Sequence, residues 1–396
     1  MRILCALLSL LVSPTFFQIF FPFDAKDEDR KPDIVVDDDK VQCPNAAFTS
    51  IQAAVNAANP GDVIRVCPGT YVEQVVVDKS VRLQADNGAI VMPSNMNANT
   101  TSAGSGKPLA VVVLVKDATD VNIEGFIVDG TNNGITGCAP TLIGILFQDA
   151  SGTVKHNAVR HMSLAASLNG CQSGDGIDVI SSPDQSSRVT IEDNSVHDYQ
   201  KNGITGNELG TSVAIQENSV TGIGPTTGAA QNGIQVGFGA QGSVQENSVA
   251  DNVWSPCVSL QQCQFNATGI LVFQSDGVEV NHNSVGTSQV GIFIGGQDSK
   301  VERNVVFNSR VLVGIQLAGA DNQAGQNRIA HSDQAALLIQ GNNNRVQGNT
   351  IMEAGVGILK ESGLTGNVFK GNSFFATAIP VQDPAPQTNV HVSPAR

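Results

Sequence analysis

The chain has 396 residues, 41% of them hydrophobic and 15% charged, with 40 glycines and a formal net charge of −14. Such a composition excludes a disordered polyelectrolyte and a coiled coil, and the negative sign excludes a basic nucleic-acid binder. Residues 1–23 carry the apolar run ILCALLSLLVSPTFFQIFFPF behind a lone Arg2, which reads as a signal peptide or an anchor. Pro14 interrupts that run after a stretch the length of a signal core, so export with cleavage is preferred. Residues 24–42 hold eight acidic and four basic side chains with little that can pack, and read as an acidic linker. The triplet Asp37, Asp38 and Asp39 offers a calcium patch as an alternative, but a charge run is usually only solvated.

The folded domain is expected over 43–379. Thr49 is placed as N-cap of a short helix whose Ile51, Val55 and Ala58 share one face, and Pro60-Gly61 stops it. A helix there would cover the open end of a β-stack. Once Cys5 leaves with the signal, six cysteines remain: Cys43, Cys67, Cys138, Cys171, Cys257 and Cys263. An even set in an exported chain favours disulfides, and the absence of a C-x-x-C spacing argues against zinc. Sequential pairing is the simplest of the 15 connectivities that six cysteines allow.

From about residue 120 a pair of the Gly-Ile type recurs at Gly144-Ile145, Gly176-Ile177, Gly203-Ile204, Gly233-Ile234, Gly269-Ile270, Gly291-Ile292, Gly314-Ile315, Ala336-Leu337 and Gly357-Ile358. A second column of asparagines runs out of phase with it: Asn157, Asn194, Asn218, Asn247, Asn283, Asn304, Asn327, Asn349 and Asn372. Short alternating stretches such as VTIEDNSV and GIFI lie between turn residues, with nothing helical among them. Strands this short, repeating at just over twenty residues, predict an all-β solenoid, a parallel β-helix of about ten to twelve coils. Ile and Val should point inward as ladders, with Asn bonding backbone from coil to coil at a fixed bend where it tolerates left-handed φ. A Pro-rich tail, 380–396, follows.

The helix, the stretch PGDVIRVCPGTYVEQVVV and repeats such as IEDNSVHDYQKNGITG resemble exported bacterial proteins of the right-handed parallel β-helix (pectin-lyase-like) superfamily, in a subfamily of unknown activity. The resemblance spans about residues 43–375. It implies the fold strongly and the activity weakly, because the superfamily holds lyases, hydrolases, esterases, epimerases and adhesins.

Aligning the coils puts Cys138 and Cys171 just ahead of successive strands, at a spacing of about 4.8 Å that a disulfide can bridge. Cys43 with Cys67 would tie down the N-terminal segment, and Cys257 with Cys263 would close a small loop. The same alignment stacks Asp129, His161 and Asp198 in three consecutive coils, His161 between two carboxylates about 9 to 10 Å apart. That is near the upper limit for an inverting carboxylate pair, with the imidazole as acid or base. The plain reading is a polar turn column, since later coils carry Gly222, Asp251, Thr287, Asn308, His331 and Glu353 there.

The second candidate is SGDGIDV, 173–179. With Ile177 and Val179 inward, Asp178 faces out beside Thr205 and Gln235 of the next coils. Asp175 and Asp178 resemble the D-G-I-D-like carboxylates of polygalacturonase-like hydrolases, although that group's DD, G-H-G and R-I-K companions are missing. Lys155, Arg160, Arg188 and Lys201 fall in the same coils and are the candidate substrate-binding cations, with Thr205 and Gln235. A lyase would bring calcium as cofactor, while no metal-ligand set is assigned. The Q-D-T-L-Y signature of pectin methylesterases and the D-P-H-E site of alginate epimerases are absent, and the five Met and six His are too scattered for copper.

The expected function is therefore binding, with cleavage or modification left open, of an extracellular uronate-containing polysaccharide by a secreted or cell-envelope protein. The alternative is a noncatalytic surface, structural or adhesin-like solenoid. One Trp, two Tyr and an acidic body argue against a sugar enzyme. The expected partner is polysaccharide or cell-wall glycan, with no nucleic acid, no membrane contact beyond the signal or anchor, and a monomeric state. The outward positions Leu146, Leu271, Phe293 and Leu359 are apolar, which predicts cover by a loop or by the tail, or else a partner surface.

Overall fold

The computed structural model describes residues 34–257, 263, 265–309 and 311–383. The expected export signal, most of the linker and most of the tail lie outside the described residues. Each turn of the chain lays one short strand into each of three sheets, with parallel pairing from coil to coil. Among the described residues the sheets hold 13, 12 and 13 strands, so the stack reaches twelve coils or slightly more. One strand of the third sheet, Thr100–Thr101, pairs antiparallel on Pro108–Lys116.

Three inward ladders form the core. In the third sheet Val113, Ile145, Ile177, Ile204, Ile234, Ile270 and Ile292 stand in register and are buried. The glycine ahead of each isoleucine is required by proximity, because a Cβ on Gly176 would lie 2.5 Å from both the Gly203 carbonyl and Val196 Cγ1. The asparagine column is a ladder: each amide oxygen accepts from the backbone N–H of the preceding Asn, and each Nδ2 donates across coils, as in Asn194 to Val154 O at 2.9 Å. The left-handed residue at this bend is the one before the Asn, such as His156, Asp193 and Glu217, and not the Asn itself.

Two boundaries differ from expectation. Residues 34–42 are not all linker, since Ile34–Val36 pairs in parallel with Val63–Val66 and Asp37 is fully buried against the Cys43 N–H. Three consecutive β-branched residues, IVV, were enough for a strand, although the surrounding charge hid it. The helix Ile51–Ala57 is capped by Ser50, not Thr49, with Ser50 Oγ accepting from the Ala53 N–H at 3.3 Å. Glu73 completes that cap by accepting from the Ile51 and Gln52 N–H groups at 2.7 and 2.9 Å, a carboxylate held at the positive end of the helix. Glu73→Ala should cost about 2 kcal/mol by urea unfolding and loosen the N-terminal end first, which hydrogen exchange would register.

The cysteines pair sequentially: Cys43 with Cys67, Cys138 with Cys171 and Cys257 with Cys263, at Cα separations of 6.4, 5.2 and 4.5 Å. The outward apolar positions are covered. Leu146 packs with Leu109, Val111, Leu114 and Ile143, while Leu271, Phe293 and Leu359 pack with Cys257, Cys263 and Leu312. No helix of the described residues is long and apolar enough to cross a membrane.

Candidate functional site: a buried polar window on the third sheet

Between those two apolar covers the outer face of the third sheet turns polar. The register runs Ile143, Asp175, Asn202, Asn232, Thr268, Val290 in one column and Leu146, Asp178, Thr205, Gln235, Leu271 in the next. The polar stretch thus spans four strands, about 14 Å at sheet spacing. It is closed to bulk solvent: Asp175, Asp178, Thr205, Gln235 and Lys201 are 8%, 7%, 1%, 6% and 4% exposed.

The electrostatics follow from that burial. Asp175 accepts from the Asn202 N–H at 3.0 Å, and burial pushes its carboxyl up to about 7, with Lys201 and the Asn202 bonds pulling the other way. Burial also pushes Asp178 well above the usual carboxylate range; the neighbouring Asp175 adds to the rise and the Thr205 hydroxyl offsets part of it. Burial lowers Lys201 to about 8 against the pull of Asp175, and its Nζ donates to Ala230 O at 2.8 Å. Amides fill the rest, with Asn232 Nδ2 donating to Asn202 Oδ1 at 3.1 Å and to Gln235 Oε1 at 3.2 Å, and Gln235 Nε2 donating to Asn207 Oδ1 at 3.0 Å. Asp178 Oδ1, Thr205 Oγ1, Asn232 Oδ1, Thr268 Oγ1 and both amide atoms of Asn266 are buried without a hydrogen-bond partner. Thr205 therefore stands beside Asp178 without satisfying its Oδ1. Such atoms occur elsewhere in the solenoid too, as at Ser309 and Ser332, but here four of them fall on two adjacent columns of one face.

Asn202, Asn232 and Thr268 were missed in the sequence reading. The position just before each Gly-Ile pair runs Asp175, Asn202, Asn232, Thr268, and reading that column down the coils would have found them.

The other candidates fall elsewhere. Asp129 is not one rung below His161: it pairs with Arg160, which pairs with His197. Gly125 supplies the left-handed bend and corresponds to His156, and Phe126 fills the Asn place, its N–H donating to Asn157 Oδ1 at 3.0 Å, so the alignment slips by one residue. The side chains still meet. His161 Nδ1 lies 3.1 Å from Asp129 Oδ1, its Nε2 lies 3.7 Å from Asp198 Oδ2, and Arg160 Nε donates to Asp129 Oδ2 at 2.8 Å. Burial raises Asp129, but hydrogen bonds from Thr131, Arg160 and His161 outweigh it and hold the carboxyl below its usual value. His161 and Asp198 occupy left-handed corners, as do Asp251, Asn308, His331 and Glu353, which matches a turn column.

The basic residues do not converge. Lys155 and Arg188 stand on the first sheet, Lys155 Nζ 3.3 Å from Glu124, and Arg188 lines an open hollow of about 420 Å³ with Thr190, Ser212 and Glu279. Arg160 is on the second sheet, locked to Asp129. Of the four, Lys201 is the one that reaches the window.

Two family models match: the periplasmic copper-binding protein NosD over residues 257–394, and the right-handed β-helix region over 112–306. A cell surface glycoprotein of Methanothermus fervidus is 35% identical over 101 residues, 24% of this chain and 15% of that protein, so the chain spans about a seventh of its length. In fold, the lacto-N-biosidase of Eubacterium ramulus is similar at a TM-score of 0.59 and 13% identity, covering 86% of this chain and 67% of that one. The Dettilon tailspike protein is similar at 0.55 and 14%, covering 83% and 65%. The chain folds as a right-handed parallel β-helix.

Copper, named in the first model's description, does not fit the donors present. In the described part of that stretch His282 and His331 stand at different bends, His331 held by Glu353 at 2.9 Å, and Cys257 and Cys263 are joined to each other. Among the described residues, His, Cys, Asp and Glu groups cluster in threes at Cys43, Cys67 and Asp86, where the sulfurs form a disulfide, and at Asp37, Asp38 and Asp39. Those three aspartates are already used by the backbone N–H groups of Cys43, Thr70 and Val41.

Proposed function

We propose that the protein binds a glycan outside the cytoplasm through this window and cleaves or modifies it with the Asp175 and Asp178 carboxyls. The observation that carries the reading is a pair of neighbouring buried carboxyls in register on the third sheet, Asp178 pushed by burial and by Asp175 well above the usual carboxylate range and Asp175 pushed up to about 7. A carboxyl that keeps its proton at neutral pH can give it to a leaving glycosidic oxygen, and its neighbour, once ionised, can activate water or balance developing positive charge. Lys201 biases Asp175 toward ionisation and so separates the two roles. Three disulfides suit an oxidising compartment, and a lacto-N-biosidase of similar fold fits a glycan ligand.

The second reading, a noncatalytic surface solenoid, draws on one fact: the window is shut off from solvent while the first sheet is open. A glycan panel followed by reducing-end release and unsaturated-uronate absorbance separates the two. Asp178→Asn should lower turnover by at least about a hundredfold if the carboxyl is the acid. Turnover untouched by that change would take the chemistry away from Asp178, and no turnover on any glycan would leave the noncatalytic reading.

A further inference from the structure

We infer that the window takes an uncharged, hydroxyl-rich saccharide and not a uronate, an inference that rests on the window being the glycan site. The argument comes from the atoms left without partners. Asn232 Oδ1 can only accept, Asp178 Oδ1 is a carboxyl oxygen, and the hydroxyls of Thr205 and Thr268 each both donate and accept. A ligand that satisfies this set must bring donors along with acceptors. Sugar hydroxyls bring both, and since a uronate carries them too, the choice between a neutral and an acidic sugar rests on charge.

Charge favours the neutral sugar. A uronate would bury a carboxylate in a site from which water is excluded, where a charge without a free cation to pair with costs most. The cation nearest at hand, Lys201, is engaged with Ala230 O and matched to Asp175. Arg160 is bound to Asp129, and Lys155 and Arg188 stand on another sheet. The remaining lining consists of the amides of Asn202, Asn232, Gln235 and Asn207, the uncharged donor and acceptor pairs that hold neutral sugars. Apolar side chains close both ends of the polar stretch, which limits the ligand to a short oligosaccharide segment. Because the window is buried, association should be slow compared with binding in an open groove.

The test uses the full mature chain, titrated by calorimetry with neutral oligomers of glucose, xylose, galactose and N-acetylglucosamine, and with oligogalacturonate and oligomannuronate. Thr268→Val removes a hydroxyl without a partner in the protein, and Thr205→Val one that leaves Asp178 Oδ1 unsatisfied while offsetting its rise only in part, so the melting temperature should change little. Affinity for a neutral oligomer should fall roughly tenfold in the double variant. A lower melting temperature together with unchanged affinity would mean that the hydroxyls serve the fold, and would overturn the inference. Oligouronate binding that these substitutions abolish would overturn the neutral-sugar inference while leaving the glycan site intact. Failure of both ligand sets to bind would overturn the site and the inference together.

Discussion

Asn218→Ala should destabilise the protein by about 4 kcal/mol, a large loss for a single polar side chain. The reason is the number of groups it serves. Asn218 Oδ1 accepts from the Asn194 backbone at 3.0 Å and from Asn194 Nδ2 at 2.9 Å, and its Nδ2 donates to Ile191 O, Gln216 O and Asn247 Oδ1. Truncation leaves the Asn194 N–H and the Ile191 carbonyl buried without partners, and each such orphan costs about 1 to 3 kcal/mol. The effect should be local, because a solenoid coil touches only its neighbours. Urea unfolding gives the magnitude, and hydrogen exchange should show protection lost first in the strands Ser187–Glu192, Thr211–Gln216 and Gln241–Gln245. Two controls bound the argument. Glu217→Asn, at the exposed left-handed position next door, should stay within about 0.5 kcal/mol. Asn372→Ala, at the half-buried end of the same ladder, should cost well under half as much, because water reaches the groups it abandons. Equal losses at Asn218 and Asn372 would mean that the ladder acts through something other than buried hydrogen bonds.

What could be read from the residues, and what could not, follows from how a solenoid stores information. Repeats make themselves visible, so the Gly-Ile and Asn columns lead directly to the three sheets, the inward ladders and the pairing of Cys138 with Cys171. Alignment fails where one coil departs from the pattern. At Gly125 and Phe126 the bend is made by glycine and the Asn place is taken by an aromatic residue, which slides Asp129 from His161 to Arg160. Membership of a coil also does not say which of its three sides a residue faces. Lys155, Arg160, Arg188 and Lys201 share two coils but point from three sides of the prism. Burial of the window was hidden for a further reason: the apolar packing that flanks it draws on residues outside the repeat, such as Cys257 and Cys263, and these follow no period. Asp178 looks like a surface aspartate on an outward strand position, and only the packing around it turns it into a buried acid.

That packing leads to the second large effect, which appears in the pH dependence of stability. Asp175 holds its proton up to about 7 in the folded chain, against 3.8 for the free side chain, and Asp178 is raised too. A group whose folded value lies above its unfolded value contributes stability that is fully present below the unfolded value and lost as pH rises through the folded one. Unfolding free energy should therefore fall from about pH 4 to beyond pH 7, by on the order of 2 to 4 kcal/mol. Lys201 acts in the opposite sense and in another range. Its folded value of about 8 lies below 10.5, so its contribution is present at high pH and is lost as pH falls through 8, which adds no slope between 4 and 7. Asp178→Asn keeps the shape and removes the charge. It should raise stability at pH 8 by on the order of 2 kcal/mol, change it little at pH 4 and flatten the slope between them. Urea titrations of both chains at pH 4, 6 and 8 measure this directly. A parallel pair of curves would show that Asp178 carries no buried proton, and the acid role would fall with it. The expected pattern, a variant that gains stability where it loses turnover, is the signature of a carboxyl kept under cover for chemistry and not for the fold.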